Sequence, residues 1–346
     1  MNHSTFKSFT FGIGLFFTLP LVYGNSSSPS SSDGTLYINK SKTHKVAPVK
    51  YGFHYEEIGM MGEGALHAEL IRNRSFEEAT PPAGLSVKNG LYENVPAPRV
   101  KEKKVFQADP LIGWTTYPLS YSPVFISRTD ENPMSGENKY SMLVNVTEDI
   151  ANHPDALILN RGYYGMNLKT DTSYRLSLFL KSRNYSAPLR VFLVDEWGQR
   201  VSNVIEVNVG NREWTKYTGE LKPEKNVRRG MFAIQPMSKG QFQIDVVSLF
   251  PSDTWNEGKS VFRKDIVQNL KEFSPSFIRF PGGCIVHGVN EETMYHWKKT
   301  LGPIENRPGQ WSKWAPYYRT DGIGYHEFYE LCEYVGADAM YVMPTG

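Results

Sequence analysis

The sequence predicts an α/β fold joined to an all-β one: the opening of a parallel α/β barrel or sheet, interrupted after its first strand by a β-sandwich. Three observations predict it. The stretch Ser276-Phe277-Ile278-Arg279-Phe280-Pro281-Gly282-Gly283-Cys284-Ile285-Val286-His287-Gly288 reads as a buried strand running into a glycine-rich turn. Pro281 cannot donate to a sheet ladder, and the glycine pair lets the backbone bend and approach a ligand. Around that stretch, helical periodicity alternates with short apolar runs, the order of a parallel β–α–β arrangement. Between about residues 80 and 251, by contrast, short β-like runs recur at regular spacing with turns between them, as in a sandwich.

Residues 1–24 read as a secretory signal: Lys7 gives a weakly positive start, 9–22 is mostly apolar, and Val22-Tyr23-Gly24 offers a small residue at the cleavage point. The run is too short to span a bilayer comfortably. No cysteine follows it for a lipid anchor, the first being Cys284, so export to a periplasm or to the medium is expected. Residues 25–34 form a Ser-rich linker, expected to be disordered. The segments 35–39 and 45–51 are short β-like runs, the second flowing into Gly52-Phe53-His54-Tyr55-Glu56-Glu57-Ile58, a strand ending on a carboxylate pair. A helix is expected over 65–76, with Leu66, Leu70 and Ile71 on one side and Glu69, Arg72 and Arg74 free for polar contacts.

Within the sandwich, 81–251, strands are expected at 140–146, 163–168, 174–182, 189–194, 214–221, 230–235 and 241–249, with Asp195-Glu196-Trp197-Gly198-Gln199 as a hairpin turn. The α/β part resumes over 252–346. Ser260 can cap a helix running to Phe273, whose Phe262, Ile266, Leu270 and Phe273 fall on one face, and Pro275 stops it. After the organising strand comes a long loop holding Trp297, Trp311 and Trp314. A second helix is expected over 324–335, with Phe328, Leu331, Cys332 and Val335 inward and Gly336 as its stop. A third buried strand is expected over 339–343. In a barrel, the loops that follow strands carry the active site, so Glu56 and the 282–287 turn should converge on one face, with the sandwich beside it.

The 38 basic and 36 acidic residues leave a formal charge of +2 with no basic block. Neither nucleic acid nor an anionic membrane is therefore an expected partner, and an uncharged one is. Aromatic side chains make up 13% of the chain; their flat faces suit sugar rings, although most will simply fill sheet cores. Trp114, Tyr117, Tyr163, Tyr164 and Trp197 are the candidates for ring stacking. Glu56 and Glu57 are adjacent on a strand and so should face opposite sides, one of them outward. Gly59-Met60-Met61-Gly62-Glu63-Gly64 has the reverse of the dinucleotide-loop spacing and no following ribose-binding acid, so no nucleotide cofactor is expected. Cys284 and Cys332 sit in apolar segments where buried reduced thiols are expected. No His/Asp/Glu cluster has metal-ligand spacing; His287 and His296 are expected to be loop hydrogen-bonding groups.

Five motifs resemble the α-L-arabinofuranosidases of glycoside hydrolase family 51. They are the Gly52–Ile58 segment, Ala68-Glu69-Leu70-Ile71-Arg72-Asn73-Arg74-Ser75-Phe76-Glu77, Ile278-Arg279-Phe280-Pro281-Gly282-Gly283-Cys284, Trp297-Lys298-Lys299-Thr300-Leu301-Gly302-Pro303 and Asp321-Gly322-Ile323-Gly324-Tyr325-His326-Glu327-Phe328. The resemblance extends over 35–346. It implies a (β/α)8 TIM barrel, of which 35–80 and 252–346 hold about three strands, with a carbohydrate-binding-module-like sandwich of galactose-binding jelly-roll type inserted after the first. It also implies retaining removal of terminal L-arabinofuranose from arabinan or arabinoxylan, with two glutamates as acid/base and nucleophile. Glu56 would contact the arabinose ring, with Gly282, Gly283 and Cys284 forming the wall of its pocket. Where some family members have Asn after the two glycines, this chain has Cys284. Neither catalytic motif occurs in the sequence, so both glutamates are expected beyond Gly346, and no cofactor is implied. The alternative is a secreted, non-catalytic carbohydrate-binding protein in which the sandwich works alone.

Overall fold

A computed structural model describes residues 41, 43–45, 51–58, 60–78, 87–88, 91–93, 105–107, 109–288, 291, 294–311 and 318–345. The expected signal, linker, 35–39 strand and Trp314 lie outside these residues, as does most of the 45–51 run. The chain divides into two compact units, Met1–Ala47 and Pro48–Gly346, and every described sheet and helix belongs to the second.

Two antiparallel sheets dominate. One has five strands in the order Thr215–Leu221, Tyr174–Ser182, Gly240–Pro251, Ser141–Val146 and Val124–Thr129. The other runs Ile205–Asn208, Pro188–Val194, Val227–Pro236, Leu157–Asn160 and Trp114–Tyr117, with Met166–Leu168 also pairing to Val227–Pro236. Each of the seven expected sandwich strands is present within a few residues. Along Tyr174–Ser182 every second residue is buried, the period that gives an antiparallel strand one dry face. Leu176, Leu178 and Ile244 from one sheet share a core with Leu189, Val191 and Phe232 from the other, each worth about 1.5–3 kcal/mol of burial. Asp195 accepts from the backbone N–H groups of Trp197 and Gln199 and so closes the expected hairpin turn.

The second region is a three-stranded parallel sheet in the order Phe53–His54, Phe277–Phe280, Asp338–Tyr341. Helices Lys264–Phe273 and Tyr325–Val335 each precede one of its strands. Phe328, Leu331, Cys332 and Val335 are all buried as expected, Phe280 stacks on Phe328 at 4.7 Å, and Gly336 ends the helix at φ 77°. No described helix is long and apolar enough to cross a membrane.

Five expectations fail locally. The first strand spans only Phe53–His54. The 65–76 segment is not a helix: Asn73 and Phe76 have φ 52° and 60°, and the backbone instead bonds to the last sandwich strand through Leu70 N–H to Leu249 O and Val247 N–H to Arg74 O. Tertiary partners outbid the helical periodicity there. The first helix begins at Lys264, after an extended Arg263, while Ser260 Oγ accepts locally from Phe262 N–H. Strand Asp338–Tyr341 is largely exposed, Met340 at 46%, because among the described residues it pairs only with Phe277–Phe280. Cys284 is exposed; Cys332 is the buried thiol.

Candidate functional site

The parallel register Phe53↔Ile278 and His54↔Arg279 brings the ends of two strands level, so the segments that leave them meet. Glu56 lies against Gly282. Gly282 has φ 134°, and a Cβ there would stand 2.3 Å from Glu56 Cγ, so only glycine fits. The Ile285 N–H donates to Glu56 Oε1 at 3.3 Å. Gly283 is half-buried over the Arg279 guanidinium, and Cys284 opens the Cys284–His287 turn of helix on the solvent side. Arg279 Nη1 lies 2.7 Å from His54 Nε2. Burial, then the Arg279 charge, lowers the His54 pKa, so a neutral ring accepts from the guanidinium and its 3.5 Å approach to Glu56 is no ion pair.

The carboxylate pair divides as alternation predicts, Glu57 buried and Glu56 only partly so, although the paired strand has already ended at His54. Glu57 turns into a buried floor, where it accepts from Tyr55 Oη–H at 2.8 Å and from Gly62 N–H at 2.7 Å. Glu63 accepts from Thr320 N–H. Burial, reinforced by the Glu57 charge, pushes the Glu63 pKa up to about 8, so Glu63 is protonated at neutral pH. Beside them, Arg319 pairs with Asp321 at 2.7 Å and its guanidinium lies 4.7 Å from the centre of the Tyr295 ring. Arg307 grips Glu327 with two bonds of 2.7 and 3.0 Å, and Glu327 also accepts from Gly324 N–H. The cavity within this floor is only about 20 Å³, room for a water and not for a sugar.

The stacking candidates separate by exposure. Trp114, at 6%, is core: its ring packs on Phe76 and Phe232 and its Nε1–H donates to Asn73 O. Tyr164 and Trp197 are open to solvent at 80% and 73%. Tyr163 is half-buried; its ring covers Gly64 and its hydroxyl reaches Glu63 Oε2 at 3.5 Å, tying the sandwich to the floor. His287 and His296 do bond within loops, to Gly288 O and Glu291 O. Sequence reasoning passed over Glu63. Its signal was a carboxylate between two glycines, a few residues after an acid pair, since Gly62 and Gly64 leave no room for a Cβ against Glu57 and Tyr163.

The family model for the alpha-L-arabinofuranosidase 1 domain matches residues 269–346. Alpha-L-arabinofuranosidase 1 of Arabidopsis thaliana is 29% identical over 301 residues, 86% of this chain and 40% of the relative. The extracellular exo-alpha-L-arabinofuranosidase of Streptomyces chartreusis is 27% identical over 308 residues, 85% of this chain and 32% of the relative. An arabinose-bound GH51 α-L-arabinofuranosidase structure superposes with a TM-score of 0.70 at 25% identity, covering 88% of this chain and 45% of that one. The chain thus spans less than half the length of these relatives.

Proposed function

We propose, starting from a chain that is GH51 α-L-arabinofuranosidase-like over part of the length of those enzymes, that its described α/β region is the glycone-holding part of an enzyme that releases terminal L-arabinofuranose. The three parallel strands are then the first three of a (β/α)8 barrel, and the two antiparallel sheets are a sugar-module-like sandwich inserted after the first. The observation that carries this reading is Glu56 resting on Gly282 at the ends of two registered parallel strands.

In this site Glu56 accepts hydrogen bonds from furanose hydroxyls, and its Ile285 N–H bond fixes the carboxylate's direction. The Gly282-Gly283 backbone lets the ring approach where any side chain would block it. Cys284 borders the ring with a weakly polar thiol. Retaining cleavage needs two carboxyl groups about 5–5.5 Å apart with the scissile bond between them. We assign neither role to Glu57 or Glu63, whose oxygens serve the buried floor. The substrate class is an arabinose-bearing polysaccharide or oligosaccharide, and residues 1–24 direct export, so the amino terminus of the exported protein should lie close to residue 25.

The test is an assay of the purified chain with p-nitrophenyl α-L-arabinofuranoside beside a titration with methyl α-L-arabinofuranoside. Binding without turnover is expected. Turnover would place the cleaving carboxylates within this chain and overturn the division of labour; absence of binding would overturn the reading itself.

A further inference from the structure

We infer that the crevice between the 163–174 segment of the sandwich region and helix Lys264–Phe273 is a second carbohydrate subsite, taking an uncharged sugar unit of the polymer whose terminal residue the Glu56 wall holds. The identity of the polymer rests on the arabinofuranosidase reading; the existence of the site does not. The crevice has a volume of about 660 Å³, against about 20 Å³ in the acid floor.

Two side chains that line it, His67 and Thr254, are each only 2% exposed. Neither His67 Nε2 nor Thr254 Oγ1 has a hydrogen-bond partner among the described residues. Buried polar groups are nearly always paired, because an unpaired one keeps its full desolvation cost. Thr254 Oγ1, on the crevice wall, marks a place where a hydroxyl-bearing ligand, or the water it carries in, completes the bonding. The His67 ring packs instead against Gly322, and it adds no charge behind that wall, since burial, then the Arg74 and Arg307 charges, hold its pKa at about 3.

The charged groups on the crevice cancel: Lys169, Arg263 and Lys264 against Glu69, Asp253 and Asp265. Arg263 and Asp265 also neutralise each other at 2.6 Å. Such a lining selects neither an anion nor a cation. On the rim stands the Tyr164 ring, 80% exposed, which offers the flat apolar face that the underside of a sugar covers. The wall from Gly64 to Leu70 begins eight residues after Glu56 in the chain.

The experiment titrates the chain by calorimetry with methyl α-L-arabinofuranoside, and separately with arabino-oligosaccharides and arabinoxylo-oligosaccharides. The chains compared are wild type, Tyr164→Ala, Thr254→Val and Glu56→Ala. Tyr164→Ala and Thr254→Val should each weaken binding of an oligosaccharide at least fivefold while leaving the monosaccharide glycoside unchanged. Thr254→Val should at the same time raise the melting temperature, since it removes a buried hydroxyl without a partner. Unchanged oligosaccharide affinity in both variants, or no oligosaccharide binding by wild type, overturns the crevice. Wild type that ignores the monosaccharide glycoside but still loses oligosaccharide affinity in Tyr164→Ala overturns the Glu56 assignment and keeps the crevice.

Discussion

Glu56 and Gly282 pack against each other just beyond the ends of two parallel strands, and the approach exists only because Gly282 lacks a side chain. A methyl group there would lie 2.3 Å from Glu56 Cγ, on a backbone at φ 134°. Gly282→Ala should therefore cost about 1–3 kcal/mol in backbone strain alone, lowering the melting temperature, and should weaken methyl α-L-arabinofuranoside binding at least tenfold. Gly302→Ala is the control: φ is 80° there, but a Cβ meets nothing within 4 Å. It should show the backbone penalty and keep the affinity.

Glu63 gives the fold a dependence on pH. Its folded pKa of about 8 lies above its ordinary 4.5, so folding binds a proton. The contribution is complete below pH 4.5 and is lost as pH rises through about 8, a few kcal/mol in all. Glu63→Gln cannot ionise and should flatten the profile. Denaturant midpoints at pH 5 and pH 9 should differ clearly less in the variant than in wild type; parallel profiles would show that Glu63 ionises normally.

Arg307 and Glu327 form a buried two-bond pair that also collects Gly302 O, Asp321 O and Gly324 N–H. Glu327→Gln should destabilise the chain by about 3–5 kcal/mol, because it leaves a buried guanidinium short of its counter-charge. The double change Arg307→Met with Glu327→Leu should recover much of that loss. Thermal melts of the three chains decide it; a Glu327→Gln variant as stable as wild type would contradict the pairing.

Trp114 and Trp197 should behave oppositely. Trp114 is packed between Phe76 and Phe232, and Trp114→Ala should cost about 3–5 kcal/mol. Trp197→Ala, at the exposed tip of the hairpin, should change stability by no more than about 0.5 kcal/mol. Melting temperatures of the two variants check the contrast.

The parts of the fold legible in the sequence are those where one local pattern agrees with its surroundings. Tyr174–Ser182 alternates cleanly and lies between two partner strands; Tyr325–Val335 carries its apolar stripe, a Glu at its third position and a glycine stop. The convergence of Glu56 with the 282–284 turn was also readable, since it follows from strand order alone. The 65–76 segment was not, because its Leu66, Leu70 and Ile71 spacing imitates a helix while Glu69 accepts from Ser248 Oγ–H and Leu249 N–H, far along the chain. The buried floor escaped for the same reason. Glu63 meets Thr320, and Glu57 shares a cavity with Arg319 and Asp321, more than two hundred residues away, and no local spacing records such a meeting. Trp114 shows the converse limit: residue type alone does not tell a stacking platform from a core ring.

If the Glu56–Gly282 wall holds an arabinofuranose ring, as proposed, Glu56→Gln should bind methyl α-L-arabinofuranoside at least tenfold more weakly than wild type with an unchanged melting temperature, since the amide keeps the shape and weakens the acceptor. Titration of the two chains measures this, and equal affinity would rule the wall out as the ring's holder.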